Sequence, residues 1–273
     1  HAKQAVNLLL ETEPRLAEEA AFSLEKVNRK RKDLDSVVFS QAAELLENTE
    51  ARVAVASSDT WHPGVIGISA SKLARQLNRP VVLVVWDGEK GRGSARGVQG
   101  MPIYPVLSRA MEEGLLLRFG GHEQAAGFSL ERNRYLEFKS FVESISKTLY
   151  REAPVPVLYI DGRLTPENCN GDVLRALEDM GPFGEGNPEP VWIARGLYPA
   201  SFRSVGKDGK HLQVSFQQGT QALRGIGFGL GHRTSELNRM LDVAFTLSAD
   251  KWRGGDAVQL VIKDVRPAAG RKN

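Results

Sequence analysis

A chain of 273 residues is long enough for two domains that each bury a core, and 41% hydrophobic with 25% charged residues is the balance of a globular protein in water. No run reaches the roughly 18 apolar residues of a membrane span, and no basic-then-apolar leader opens the chain. A single cysteine, Cys169, excludes an internal disulfide framework and fits a reducing, cytoplasmic setting. The formal net charge is only +3, but the excess falls on residues 51–150. That suits a polyanion and suits an ordinary solvated surface as well. His1 stands where a start Met is expected, as in a piece of a longer chain.

Residues 1–50 read as helix. Thr12 is placed to cap, and Pro14 sits in the first turn, where its missing N–H costs nothing. Apolar residues then recur three or four apart, at Leu16, Ala20, Leu24, Val27, Leu34, Val38, Ala42 and Leu45. The basic cluster Asn28-Arg29-Lys30-Arg31-Lys32 rides mid-helix. A helix of about 35 residues runs roughly 50 Å at 1.5 Å per residue. Few single domains need that length, so the segment reads as a strut between two lobes.

From Arg52 the pattern alternates. Arg52–Ser57 predicts a strand, Val65–Asn78 a helix, and the β-branched run Pro80–Trp86 a strand buried on both faces. Ile103–Glu113 and Arg134–Tyr150 are amphipathic helices. Residues 51–152 therefore read as an α/β domain with a central sheet. The stiff connector Ala153-Pro154-Val155-Pro156 marks a boundary. Beyond it, turn signals at Lys207-Asp208-Gly209, Gln218-Gly219 and Arg253-Gly254-Gly255 punctuate short strands. The segments Val191–Phe202, Leu212–Phe216, Ala222–Phe228, Val243–Ala249 and Val258–Val265 suit a five-stranded antiparallel barrel of the OB type over 153–268. Residues 269–273 read as a frayed tail.

Two glycine-rich stretches carry the chemistry. Gly88–Gly100 follows a buried strand and embeds Ser94 and Arg96; glycines admit an anion to backbone N–H groups, and an arginine offers a fork for phosphate. Taken alone, it reads equally as a mobile loop. Gly120-Gly121-His122, running to Gly127, requires close backbone packing or close passage of a ligand. His122 fits beside a phosphate oxygen or as a satisfied group in a tight turn. Trp61-His62-Pro63-Gly64 feeds a helix N-terminus, a ready anion site, though His-Pro-Gly is also a plain turn. Gly181–Pro190 reads as a rigid structural loop, and Glu185 within it has no legible carboxylate partner. Cys169 reads as structural. The histidines at 1, 62, 122, 211 and 232 are scattered, and no cluster with metal-ligand spacing is present.

Trp61–Ile68, Gly93–Gly97, Gly120–Gly127 and Pro182–Pro190, in that order, resemble motifs of the C-terminal half of RecJ-type exonucleases, of the DHH phosphoesterase superfamily. The resemblance covers nearly the whole chain. It implies connecting helices over 1–50, a DHHA1-like substrate-binding domain over 51–152 and an OB domain over 153–268. It also implies 5′→3′ degradation of single-stranded DNA in recombination and repair. The catalytic DHH domain, with its Mn²⁺ or Mg²⁺, is expected to precede His1, so this chain alone is expected to be inactive and to bind no metal. His62, Gly93, Ser94, Arg96, Gly120, Gly121 and His122 are carried over as the phosphate-binding positions. Gly97 stands where the family often has a second Ser, which removes a hydroxyl donor. In the OB domain Phe202, Arg203, Lys207, Lys210 and Phe216 are nominated for nucleic acid, with core packing the weightier reading for both Phe. Expected partners are single-stranded DNA, the DHH domain of the same polypeptide, and a single-strand-binding protein or helicase. The rival readings are a free-standing single-strand-binding or adaptor module, and a phosphoesterase acting on short oligonucleotides; the OB segment argues against the second.

Overall fold

The computed structural model describes residues 2–151, 155–218, 221–250, 254 and 256–268. The chain forms two compact units, His1–Pro156 and Val157–Asn273. His1, Ala153-Pro154 of the connector, Gly219, Arg253 and Gly255 of the turn signals, and the tail beyond Ala268 lie outside the described residues.

The first unit opens with helix α1 (Ala2–Leu10) and the 33-residue helix α2 (Pro14–Leu46). Thr12 is not the cap. Glu13 is the N-cap, and its carboxylate accepts from the Arg15 N–H at 3.4 Å, so the chain turns one residue later than the Thr12 signal predicts. Only Asp35, Val38, Ala42 and Leu46 of α2 are buried. Their three- and four-residue spacing puts them on one stripe, which packs on strand β1 (Ala54–Ser58) and helix α3 (Ile66–Leu77). Asp35, inside this contact, accepts from Ser69 Oγ at 2.7 Å and pairs with Lys72.

Strand β2 (Val81–Asp87) is the buried β-branched run, and it pairs with β1 in parallel. The next strand corrects the sequence reading. Gly88–Gly100 is not a loop: Lys90–Arg96 is strand β3, reversed from β2 at Gly88, whose φ of +57° favours glycine. The Gly120–Gly127 stretch is likewise two strands, β4 (Arg118–His122) and β5 (Ala125–Glu131), joined by a two-residue turn. The sheet order is β1-β2-β3-β5-β4, antiparallel after the first pair. Helices α4 (Tyr104–Glu112) and α5 (Tyr135–Leu149) cover one face, where Phe128, Leu130 and Phe138 share a core.

In the second unit, β6 (Gly162–Arg163) and helix α6 (Gly171–Asp179) precede the barrel. Its strands are β7 (Trp192–Val205), β8 (His211–Gln218), β9 (Gln221–Gly227), β10 (Leu241–Ala249) and β11 (Val258–Pro267). Pairing runs β7–β8–β9–β11–β10, and β10 returns to β7 to close the ring. The β9–β11 pair is parallel and the others antiparallel. This is the five-stranded closed barrel of an OB fold. Leu197, Leu212, Phe216 and Phe245 fill its interior.

Candidate nucleic-acid interface

The outer face of β3 carries Arg92, Ser94 and Arg96, because strand residues two apart share a face. The intervening Gly91 and Gly93 face the core. A Cβ on Gly93 would stand 2.0 Å from Phe128 Cζ, so the glycine makes room for that ring.

Arg96 is half-buried and tightly held. Its Nη1 donates to Ser94 Oγ at 3.0 Å and to the Ala95 carbonyl at 2.8 Å, and its Nε donates to Ser71 Oγ at 3.0 Å. Ser71 Oγ in turn donates to the Gly67 carbonyl at 2.9 Å. No carboxylate pairs with Arg96 among the described residues, and burial alone draws its pKa below the usual arginine value. It remains a cation, with its charge offset by neutral dipoles only.

The first turn of α3 lies against this cation. A Cβ on Gly67 would come within 2.9 Å of Arg96 Nη2 and 3.0 Å of Ser94 Oγ, so glycine there lets the guanidinium reach the helix. No side chain caps α3. The Ile68 and Ser69 N–H groups both bond the Val65 carbonyl, at 2.9 and 3.1 Å, which leaves those of Ile66 and Gly67 to open the helix. A half-buried cation beside the positive end of a helix is an arrangement that an anion relieves.

Around this point is an open depression of about 1040 Å³, lined by Lys72, Arg75, Arg92, Arg96 and Arg118 and by no aspartate or glutamate. Of the predicted phosphate positions, Gly93, Ser94, Arg96 and Gly120 line it. The rest do not. His62 Nδ1 accepts from the Gly64 N–H at 3.0 Å and closes a turn, whereas its neighbours Pro63 and Gly64 line the depression. Gly121 lies tight against β5, where a Cβ would stand 2.4 Å from the Ala125 carbonyl oxygen. His122 is exposed at the end of β4, opposite Ala125. Gly97 has no room for any side chain, since a Cβ would lie 2.7 Å from Gln124 Oε1 and 2.8 Å from the Met101 carbonyl oxygen. Sequence reasoning missed Ser71, Lys72, Arg75, Arg92 and Arg118. The alternation Arg92-x-Ser94-x-Arg96 was the signal that could have exposed β3 and with it Arg92.

In the barrel, Phe216 is a core residue, the weightier of its two readings, and its nomination for nucleic acid is corrected. It is 1% exposed, because its position in β8 alternates inward with Leu212 and Val214. Phe202 is 38% exposed. It lines a depression of about 380 Å³ with Ser201, Arg203, Gln213, Ser215 and Arg224. Arg203 Nε donates to Gln213 Oε1 across the β7–β8 pair at 2.7 Å. Lys207 and Lys210 lie in the β7–β8 connection, outside that lining, with Lys210 Nζ 3.8 Å from Asp208. The Gly181–Pro190 loop is held by Asn187 Nδ2, which donates to the Met180 and Pro182 carbonyls at 3.2 and 3.0 Å. Cys169 is buried, and its thiol is pushed up to about 12 by burial and then by Glu167.

Among the described residues no group of three or more His, Cys, Asp or Glu could hold a metal ion. Likewise, no helix among them is long and apolar enough to cross a membrane.

A mixed sheet with a cationic face is followed along the chain by a closed OB barrel. Family comparison agrees with both parts: residues 50–149 match the DHHA1 domain and residues 160–264 the RecJ OB domain. Curated relatives named single-stranded-DNA-specific exonuclease RecJ match along nearly the whole chain. The Bacillus subtilis protein is 28% identical over 270 residues, 96% of this chain and 34% of its own length. The Thermus thermophilus protein is 31% identical over 268 residues, 97% of this chain and 37% of its own. The crystal structure of the Thermus protein with Mg²⁺ matches with a TM-score of 0.80 at 30% identity, covering 98% of this chain and 41% of that one. Its Mn²⁺ complex gives 0.79. The chain belongs to the RecJ family and corresponds to its C-terminal region; it spans between a third and a half of the length of the relatives named here.

Proposed function

We propose that this chain is the substrate-gripping region of a RecJ-type 5′→3′ exonuclease acting on single-stranded DNA in recombination and repair. The Arg96–Ser94 pair and the first turn of α3 take a backbone phosphate, and the surrounding cations hold its neighbours. The barrel adds a second contact through Arg203, Arg224 and the exposed part of Phe202, on whose ring a base can stack. Bond cleavage, with Mn²⁺ or Mg²⁺, belongs to a DHH domain of the same polypeptide. The share of catalysis supplied here is positioning.

The observation that carries this reading is the depression with five cationic side chains and no acid, centred on an Arg96 without a carboxylate partner. A stable protein surface usually interleaves the two signs, and a cleft lined by four arginines beside the Asp35-paired Lys72 focuses anions. A labelled single strand, titrated against this chain and followed by anisotropy, tests it. Binding that weakens steeply with salt and exceeds binding to a duplex of equal length is expected. Equal binding to both, or no salt dependence, contradicts it.

A further inference from the structure

Strand pairing sets three rows across the outer face of β3, β5 and β4. Arg92, Ser129 and Arg118 form the first row, Ser94, Gly127 and Gly120 the second, and Arg96, Ala125 and His122 the third. Successive rows are two residues apart, about 7 Å at 3.4 Å per residue.

The middle row is bare for no internal reason. Gly93 and Gly121 are glycines because a side chain would strike Phe128 or the β5 backbone. At Gly120, by contrast, a Cβ would find nothing within 4 Å, and at Gly127 only the Gly93 carbonyl oxygen at 3.9 Å. Neither has a positive φ. Glycine within a strand weakens it and often marks close approach by a ligand or another backbone. The space above this floor is the depression itself, which Gly120 and Gly127 both line.

Cations stand on both sides of the floor. On one side are Arg96 and Ser94 at α3. On the other, Arg92 and Arg118 flank Ser129 across the sheet, with their Cα atoms two strand spacings, about 10 Å, apart. Two guanidinium groups on long stems can close that gap over one phosphate and leave Ser129 Oγ as a third donor.

We propose that Arg92 and Arg118 form a second phosphate subsite, a clamp on an internucleotide phosphodiester next along the strand from the Arg96 phosphate. The sugar-phosphate backbone crosses the Gly120–Gly127 floor between the two subsites. This rests on the reading of Arg96 given above and assigns that reading a direction along β3.

The test is the affinity of a fluorescein-labelled oligothymidylate for the full chain across a salt series. Arg92→Ala and Arg118→Ala each weaken binding about tenfold and flatten the log–log salt slope by about 0.7, the value of one single-strand phosphate. The double variant flattens it by no more, because both arginines serve one phosphate. A double variant flattened by about 1.4 overturns the shared clamp. Gly120→Val weakens binding about tenfold while melting no lower than the parent, since valine suits a strand; Gly127→Ala repeats the test with a smaller intrusion. Parent-like binding by both glycine variants removes the path across the floor. Arg96→Ala separates the two readings. If it alone weakens binding, the second subsite is wrong and the first stands; if no variant changes binding, both fall.

Discussion

Arg96 Nη1 donates to Ser94 Oγ at 3.0 Å, along the outer face of one strand, and no carboxylate completes the guanidinium's coordination among the described residues. Ser94 therefore orients the charge without neutralising it. Ser94→Ala leaves Nη1 only the Ala95 carbonyl at 2.8 Å. The loss of one charge-assisted hydrogen bond, about 1–2 kcal/mol, is expected to weaken single-strand binding roughly five- to thirtyfold with an unchanged salt slope. A changed slope would mean that Ser94 does more than orient.

The Asp35–Lys72 pair joins α2 to α3, and its two partners are unequally buried, with 4% of the Asp35 side chain and 46% of the Lys72 side chain exposed. Lys72→Ala strands a buried carboxylate, which is expected to cost about 3 kcal/mol. Asp35→Asn keeps an acceptor for Ser69 and frees a lysine that water can reach, at about 1 kcal/mol. Urea unfolding should rank them in that order. The reverse order would place the strain on the lysine side.

Glycines of one sheet are expected to differ sharply. Gly93→Ala drives a methyl into Phe128 and is predicted to destabilise by about 2–3 kcal/mol. Gly120→Ala meets nothing within 4 Å and is predicted to be neutral or stabilising by up to about 1 kcal/mol. Denaturant midpoints decide it; equal losses at both sites would put Gly120 against the chain itself.

Cys169 is held protonated, its pKa pushed up to about 12 by burial and by Glu167. The native thiol is expected to resist alkylation at pH 8 and to react fully only on unfolding. In the unfolded chain the thiol ionises near pH 8.5, so the folded state holds the proton that the unfolded state releases. Stability from this group is complete below roughly pH 8.5 and falls as pH rises toward 12. Cys169→Ser should lessen that alkaline loss; an identical alkaline profile would contradict the burial effect.

Much of the fold was legible where local pattern and packing agree. Pro80–Trp86 is β-branched throughout, and β2 is buried over Val81–Val85. The barrel strands also fall close to their predicted segments, because turn signals bracket them. Gly88–Gly100 was misread because glycine disfavours strands locally, while the compensation is distant: Phe128 of β5 and Trp86 of β2 fill the space that absent side chains leave. The site was half legible for the same reason. Ser94 and Arg96 share a local motif, but Arg118 meets Arg92 only through the β3–β5–β4 order, and Lys72 and Arg75 enter only because α3 lies over that face.

Whether Arg96 takes a phosphate of single-stranded DNA is read most directly from the salt dependence of binding by the parent chain and Arg96→Ala. The predicted result is about tenfold weaker binding with a slope shallower by about 0.7. Superimposable salt lines for the two proteins would contradict it.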